Sequence, residues 1–349
     1  MQKLPDFPWD LLAPYGDKAK KHPDGFIDLS QGTPVDPTPK FIQDALSKAS
    51  NSPSYPLTAG SEELRAAIKD FAIKTLGVTG EFDVLPTIGS KELIARLPTF
   101  LQSKSVLYPA VAYPTYLVGA LMASAQPTPV EIDATTWPVA DLAWVNSPSN
   151  PTGQVQSSEQ LLAAINWARK NNSILASDEC YLSFTTTGKS ILALSGGNNS
   201  GLLAVHSLSK RSNLAGYRAA FLIGDSKLID QIRQIRKHAG LMVPLPVQQA
   251  MIAALSENKH AQEQSQRYLA RGVKLKSALV NAGFTIEHSE AGLYIWCTKG
   301  EDGFKTVDYF AAMGILVTPG SVYGSNNFVR IALTATDENI DKAIARINS

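Results

Sequence analysis

Apolar residues recur at three- and four-residue spacing across SEELRAAIKDFAIKTLG (61–77), which predicts an amphipathic helix closed by Gly77. Beyond it the pattern changes to short apolar runs bounded by turn residues: SVLYP (105–109), LAWVNSP (142–148), SILASDE (173–179) and LLAVHS (202–207). These read as buried strands. Between two of them, SSEQLLAAINWARKNN (157–172) returns to helical period, and Ser157 and Gln160 have the spacing of a capping box. Strand, helix, strand in this order predicts a mostly parallel sheet with helices on both faces. From about residue 225 the chain reads as helices: SKLIDQIRQIRKHAG, LPVQQAMIAAL and a long polar-faced segment through residue 282. A strand-rich tail follows in FTIEHSEAGLYIWCT, GILVTPG and NNFVRIAL, which predicts a second, smaller α+β domain. Residues 1–40 carry FPWDLLAPY and IDLSQGTPVDPTP, and their prolines predict an extended arm without helix. The expected division is a large domain at 37–240, with 1–36 and 241–349 forming the arm and the small domain.

Composition adds limits. The chain has 349 residues, 44% hydrophobic and 18% charged, enough for more than one domain around a sizeable core. A net charge of +1 argues against nucleic acid or an anionic membrane surface as a partner. The two cysteines, Cys180 and Cys297, form no CxxC pair, so neither a metal site nor a disulfide framework is expected. No apolar run reaches membrane-spanning length, and the N-terminus lacks the pattern of a signal peptide, so a cytoplasmic protein is expected.

Candidate chemistry collects at strand exits, where ligands bind in parallel α/β sheets. TIGSKEL (87–93) opens a helix with a glycine, Ser90 and Lys91, a natural phosphate cradle, although Ser90 alone reads equally as a cap. NSPSNPTG (146–153) is a rigid turn that would fix the Asn150 amide. SDECY (177–181) puts Asp178 at a buried strand's end and Tyr181 three residues on; that carboxylate calls for a cationic partner. SLSKRSNLAGYR (207–218) leaves another buried strand with Lys210 among Ser207, Ser209 and Arg218. A lysine whose amine condenses with an aldehyde, phosphate donors, a carboxylate for a pyridinium nitrogen and a tyrosine hydroxyl together match the requirements of pyridoxal phosphate.

With QGTP (31–34), SYPLTAG (54–60), GSKE (89–92), YPTY (113–116), NPTG (150–153), DECY (178–181), SLSK (207–210) and FVRIA (328–332) in order, the chain resembles the class I/II aminotransferases of fold type I. The resemblance covers nearly the whole chain. It implies the fold type I PLP-dependent transferase architecture, a large α/β domain plus a smaller α+β domain, in a homodimer with shared sites. It makes Lys210 the cofactor-binding lysine and Asp178 the partner of the ring nitrogen. Tyr181 and Asn150 would bond the ring oxygen, and Tyr113 would stack on the ring. Ser90, Lys91, Ser207, Ser209 and Arg218 would surround the phosphate, with Tyr55 reaching it from a second subunit. Arg330 would clamp the substrate α-carboxylate beside Gly32 and Asn150.

FPWDLLAPY, YPLTAGSEELRAAI and SLSKRSNLAGYR resemble more narrowly the actinobacterial N-succinyldiaminopimelate aminotransferases, which implies amino transfer from glutamate to N-succinyl-2-amino-6-oxopimelate in diaminopimelate and lysine biosynthesis. That substrate's distal carboxylates make Arg96, Arg211, Arg236 and Lys237 candidate readers, although each of them taken alone reads better as solvated surface charge. The alternatives are another aminotransferase, aromatic ones included, or a PLP-dependent C–S lyase. A non-catalytic relative fused to a DNA-binding module is not expected, because the resemblance to the enzyme fold takes up the 349 residues and the net charge is near zero.

Overall fold

The computed structural model describes residues 4–349. The arm forms a short 3-10 turn (Pro8–Leu12), helix α1 (Ala13–Ala19) and strand β1 (Ile27–Asp28). It is therefore not the wholly extended segment that its prolines suggested. Pro14 falls in the first turn of α1, where a missing N–H breaks no helical bond.

After α2 (Lys40–Lys48) comes α3 (Glu62–Phe71), capped by the Ser61 hydroxyl, which accepts from Leu64 N at 3.1 Å. The expected helix continues through a π turn (Ala72–Leu76) and stops at Gly77, left-handed at φ 74°. The chain then runs through β2 (Asp83–Thr87), α4 (Ser90–Phe100), β3 (Ser105–Pro109), α5 (Thr115–Met122), β4 (Gln126–Val130) and β5 (Leu142–Asn146). Next come α6 (Ser158–Asn171), β6 (Ile174–Asp178), α7 (Ile191–Leu194), β7 (Leu202–Ser207), α8 (Leu208–Arg211) and β8 (Ala220–Gly224). The capping box is present at the start of α6, with Ser157 and Gln160 each accepting from the other's backbone N–H.

These strands make a seven-stranded sheet in the order β2-β8-β7-β6-β5-β3-β4, parallel except for β8, which is antiparallel to both neighbours. The sheet separates two apolar clusters, one around Trp144, Leu203 and Leu222, the other around Val145, Ala204 and Phe221. The period-2 alternation of one strand's side chains puts Trp144 and Val145 on opposite faces.

Helices α9 (Ser226–His238), α10 (Leu245–Leu255) and α11 (Lys259–Asn281) follow. Although α10 lies beyond residue 240, it packs on α2 and α3, so the helical layer of the large sheet extends to Leu255. The tail supplies β9 (Thr285–Ile286), β10 (Tyr294–Thr298), α12 (Gly303–Ala312), β11 (Ile315–Leu316), β12 (Thr318–Pro319), β13 (Val329–Ala332) and α13 (Asp337–Ile347). Strands β12-β13-β10-β9 form an antiparallel sheet, and β1 pairs in parallel with β11.

The segment after β1 is fastened to α11 by a buried ion pair. The Arg271 guanidinium donates to both oxygens of Asp36 at 2.8 Å and, through Nε, to Asp337 at 2.6 Å. Burial alone would raise the Asp36 carboxyl, but Arg271 and the Gln264 amide hold it below its usual range. Asp36→Asn should cost about 3 kcal/mol at pH 7, because it leaves the buried guanidinium with only the exposed Asp337 carboxylate as counter-charge. The Asp36 contribution is complete above the unfolded value near 3.8 and is lost as pH falls through the lower folded value. Urea unfolding of both proteins from pH 7 downward should therefore show the gap closing below about pH 4.

Candidate active site

The carboxyl ends of β5, β6 and β7 open into a cavity of about 380 Å³, and all but one of the residues expected to hold the cofactor or the substrate α-carboxylate line it. Tyr55 is the exception: it is 93% exposed and outside the cavity of its own chain.

Asn146 and Asp178 are paired in register as the last residues of β5 and β6. The Asn146 amide donates to Asp178 O at 2.9 Å and to Pro148 O at 3.1 Å, and its Oδ1 accepts from Asn150 N at 2.8 Å. One buried side chain thus ties the NSPSNPTG turn to the neighbouring strand and sets Asn150 in place.

The Asp178 carboxylate is buried and accepts from the Tyr116 hydroxyl at 2.8 Å and Cys180 N at 3.1 Å. Burial holds its carboxyl above the usual range, and the hydrogen bonds from Cys180 and Tyr116 and the His206 charge offset that only in part. Among the described residues it has no ion-pair partner, so a cation in the cavity would meet an uncompensated charge. Tyr181 is also buried. Its hydroxyl lies 3.1 Å from that of Tyr294, and burial pushes its phenol well above the usual range. Tyr113 borders the cavity edge-on to Tyr116, at 6.0 Å, and burial pushes its phenol to about 12.

Lys210 stands on α8, a single turn beyond β7. Burial first, then the charges of Arg330 and Arg218, push its amine down from 10.5 to about 8. The Ser207 hydroxyl caps α8 by accepting from Ser209 N at 3.1 Å, so Ser207 rather than Ser209 is the cap. Ser90 is likewise not a cap: Gly89 occupies that position, and Ser90 opens α4 with its hydroxyl free of any capping bond.

Arg218 is held in the left-handed region (φ 57°) and donates to Ala215 O at 2.8 Å. Its guanidinium covers Gly89 so closely that a Cβ there would lie 2.2 Å from Nη2. Gly89 itself has φ +94°, so both space and backbone demand glycine. Lys91 sits at the exposed rim, its amine 5.2 Å from the centre of the Phe7 ring.

Arg330 lies on β13 at 2% exposure. It donates to Asn150 Oδ1 at 2.8 Å and Ser30 O at 2.6 Å, while its Nε has no partner. The guanidinium is flanked by Tyr294 and Tyr323, 4.2 and 4.8 Å from the ring centres. Gly32 approaches so near that a Cβ would stand 2.1 Å from the Tyr294 hydroxyl. Among the described residues no carboxylate pairs with Arg330.

The four suggested readers of distal carboxylates do not line the cavity. Arg96 and Lys237 are exposed. Arg236 is fully buried against Glu92, donating to its two oxygens at 3.0 and 2.9 Å, and Arg211 turns away from the cavity. The sequence reading missed Tyr294, Tyr116, Trp9 and Phe7. Tyr116 ends the quoted YPTY motif, and Phe7 and Trp9 lie in FPWDLLAPY, but nothing local to them signals a buried acid or a distant cavity.

The model of the family "Aminotransferase class I and II" matches residues 24–347. The chain belongs to the class I and II aminotransferases.

Among relatives, it is 47% identical to the 4-dedimethylamino-4-oxo-anhydrotetracycline transaminase of Streptomyces rimosus, covering 99% of this chain and 100% of that one. It is 46% identical to a probable aminotransferase of Mycobacterium tuberculosis (99% and 85% covered) and 33% identical to an LL-diaminopimelate aminotransferase of Dehalococcoides mccartyi (92% and 90%). Among solved structures, a probable N-succinyldiaminopimelate aminotransferase of Thermus thermophilus superposes with a TM-score of 0.89 at 26% identity, covering 98% of this chain and 99% of that one.

Aminotransferases of this class depend on pyridoxal phosphate. The donors fit that group. The α4 N-terminus, three serine hydroxyls and Arg218 suit a phosphate; Asp178 suits a protonated ring nitrogen and Lys210 an aldehyde. No described helix is long and apolar enough to cross a membrane, and no metal-ligand cluster occurs among the described residues.

Two outcomes test this aminotransferase site. Gly89→Ala should displace Arg218 and weaken PLP binding to the apoprotein about 10- to 100-fold, the value of one charge-assisted phosphate contact. Gly216→Ala, where a Cβ meets nothing within 4 Å, is the control. Separately, amine labelling of the apoprotein should show a Lys210-dependent phase half-maximal near pH 8, absent from Lys210→Ala. A midpoint near the ordinary lysine value would contradict the burial described.

Proposed function

We propose that the enzyme transfers the amino group of L-glutamate to N-succinyl-2-amino-6-oxopimelate, a step of diaminopimelate and lysine biosynthesis. The carrying observation is Arg330, a buried guanidinium whose Nε has no partner and which meets no carboxylate among the described residues. It suits the α-carboxylate that both substrates share. The succinylated substrate rests on the sequence motifs and on the likeness to the Thermus protein; the Dehalococcoides relative supports only a diaminopimelate-type substrate.

In this reading Asn150 orients the Arg330 fork, and the Gly32 backbone lies beside the carboxylate. When bound, the cofactor supplies an aldehyde that exchanges with amino groups and a ring that accepts the electron pair released at the substrate Cα. Asp178 keeps a proton on the ring nitrogen. The Lys210 amine would move the proton: it would take it from the substrate Cα and deliver it to the cofactor carbon that receives the amino group, and would carry it the opposite way in the second half-reaction. Tyr181 and Asn150 hydrogen-bond the ring oxygen, and Tyr113 covers the ring face. Ser90, Lys91, Ser207, Ser209 and Arg218 hold the phosphate. We further propose a homodimer in which the exposed Tyr55 completes the phosphate site of a second copy.

A second reading, amination of a ring ketone, draws on the Streptomyces relative, which matches over its whole length. The aromatic mouth formed by Phe7 and Trp9, 5.6 Å apart, favours it.

A panel of acceptors with glutamate as donor, followed by 2-oxoglutarate release, separates the two. The succinylated keto acid should give the highest kcat/KM; turnover only with the 4-oxo ring ketone would overturn the first reading. Arg330→Lys should weaken glutamate and the keto acid by a similar factor in single half-reactions, and Arg330→Ala should cost about 2–5 kcal/mol. Loss on the succinylated substrate alone would make Arg330 a side-chain reader.

A further inference from the structure

Arg211 follows Lys210 on the same helical turn, yet its side chain serves the opposite side of the chain. It is 3% exposed and lies outside the cofactor cavity. Its guanidinium donates to Ala254 O at 2.8 Å, Glu257 O at 3.3 Å, Ser212 Oγ at 3.1 Å and Asn258 Oδ1, and packs over the Phe71 ring at 5.1 Å. Ala254 is in the last turn of α10, and Asn258 immediately precedes α11. The cation thus meets the carbonyl-rich end of one helix and the start of the next.

Beside it, Ser212 Oγ lies 2.8 Å from His260 Nε2, and His260 Nδ1 bonds the Glu257 carboxylate. The local acid is therefore engaged with His260, and carbonyl and amide oxygens carry the guanidinium. Burial, opposed by Glu257, pulls Arg211 down to about 10, so it stays charged at neutral pH.

α8 has four residues, too few to hold its own position. Its first residue is tied to the sheet, Leu208 N donating to Ala219 O at 3.0 Å. Its far half carries Lys210 and is fastened by Arg211, with Ser212 just beyond.

We infer that Arg211 is a positioning residue: by clamping α8 to the α10–α11 junction it fixes where Lys210 presents its amine in the cavity. Only a planar fork reaches carbonyls and an amide on separate turns at once; an ammonium is a point donor.

The inference rests on Lys210 being the reacting amine, so its test starts from the apoprotein, with Lys210→Ala as blank. Arg211→Lys keeps the charge and loses the fork. A loosened α8 lets water reach the Lys210 amine, so its labelling midpoint should rise by about one pH unit. In the holoenzyme kcat should fall on the order of tenfold or more with KM for glutamate unchanged, as for a misplaced reacting group. Asn258→Ala and Ser212→Ala each remove one acceptor and should shift the midpoint upward by less, which keeps the test available if Arg211→Lys does not fold.

Ser157→Ala, which weakens α6 far from α8, should lower the melting temperature and leave the midpoint in place. If the α8 variants behave like Ser157→Ala, losing stability with an unmoved midpoint, Arg211 is structural only and the inference is overturned. A wild-type midpoint unaffected by Lys210→Ala would instead overturn the assignment of Lys210.

Discussion

Charge without a counter-charge among the described residues is the constraint around which this molecule is arranged. The buried Arg330, the half-buried Lys210 and the exposed Arg218 border one cavity, and the buried carboxylate there, Asp178, is satisfied by a phenol and a backbone N–H rather than by any of them. Isolating charges in this way is costly in a folded chain. A ligand carrying a phosphate, a carboxylate and a protonated ring nitrogen complements all of them. The depressed Lys210 amine follows from the same crowding, since two guanidinium charges and burial all disfavour a third cation.

The fold supplies the precision through small devices. Asn146 spans two strand ends and a turn, so the Asp178 strand and Asn150 form one rigid piece. Gly89 and Gly32 leave open the volumes that a guanidinium and a phenol occupy. Arg330 is reached from two sides, by Asn150 of the large sheet and by Ser30 of the arm, which places the cavity where three parts of the chain meet.

The sequence was most legible where chemistry is local. The Ser157 capping box, the Gly77 stop and the strand exits bearing Asp178 and Lys210 are each written within a few consecutive residues. Strands β2 and β4 were not delimited: Pro86 interrupts one, and Pro127 and Pro129 the other, an edge strand where missing donors are tolerated. The arm was misread because proline punctuates a chain equally by starting a helix as by preventing one. Tyr294 and Tyr116 matter through partners far along the chain, Tyr181 and Asp178, and no local pattern encodes such pairings. Arg211 reads as surface charge beside a lysine; only the position of α10 reveals its acceptors.

The parallel pairing of β1 with β11 joins residues 27–28 to residues 315–316. During synthesis the arm leaves the ribosome well before the strand that receives it. Ile27 and Leu29, both buried in the folded structure, must wait for the about 290 residues up to that strand to be translated. The arm also brings Trp9 and Gly32 to the cavity and Ser30 to Arg330. A nascent chain can complete its large sheet and still lack one wall of the site, so binding competence arrives only when β1 meets β11.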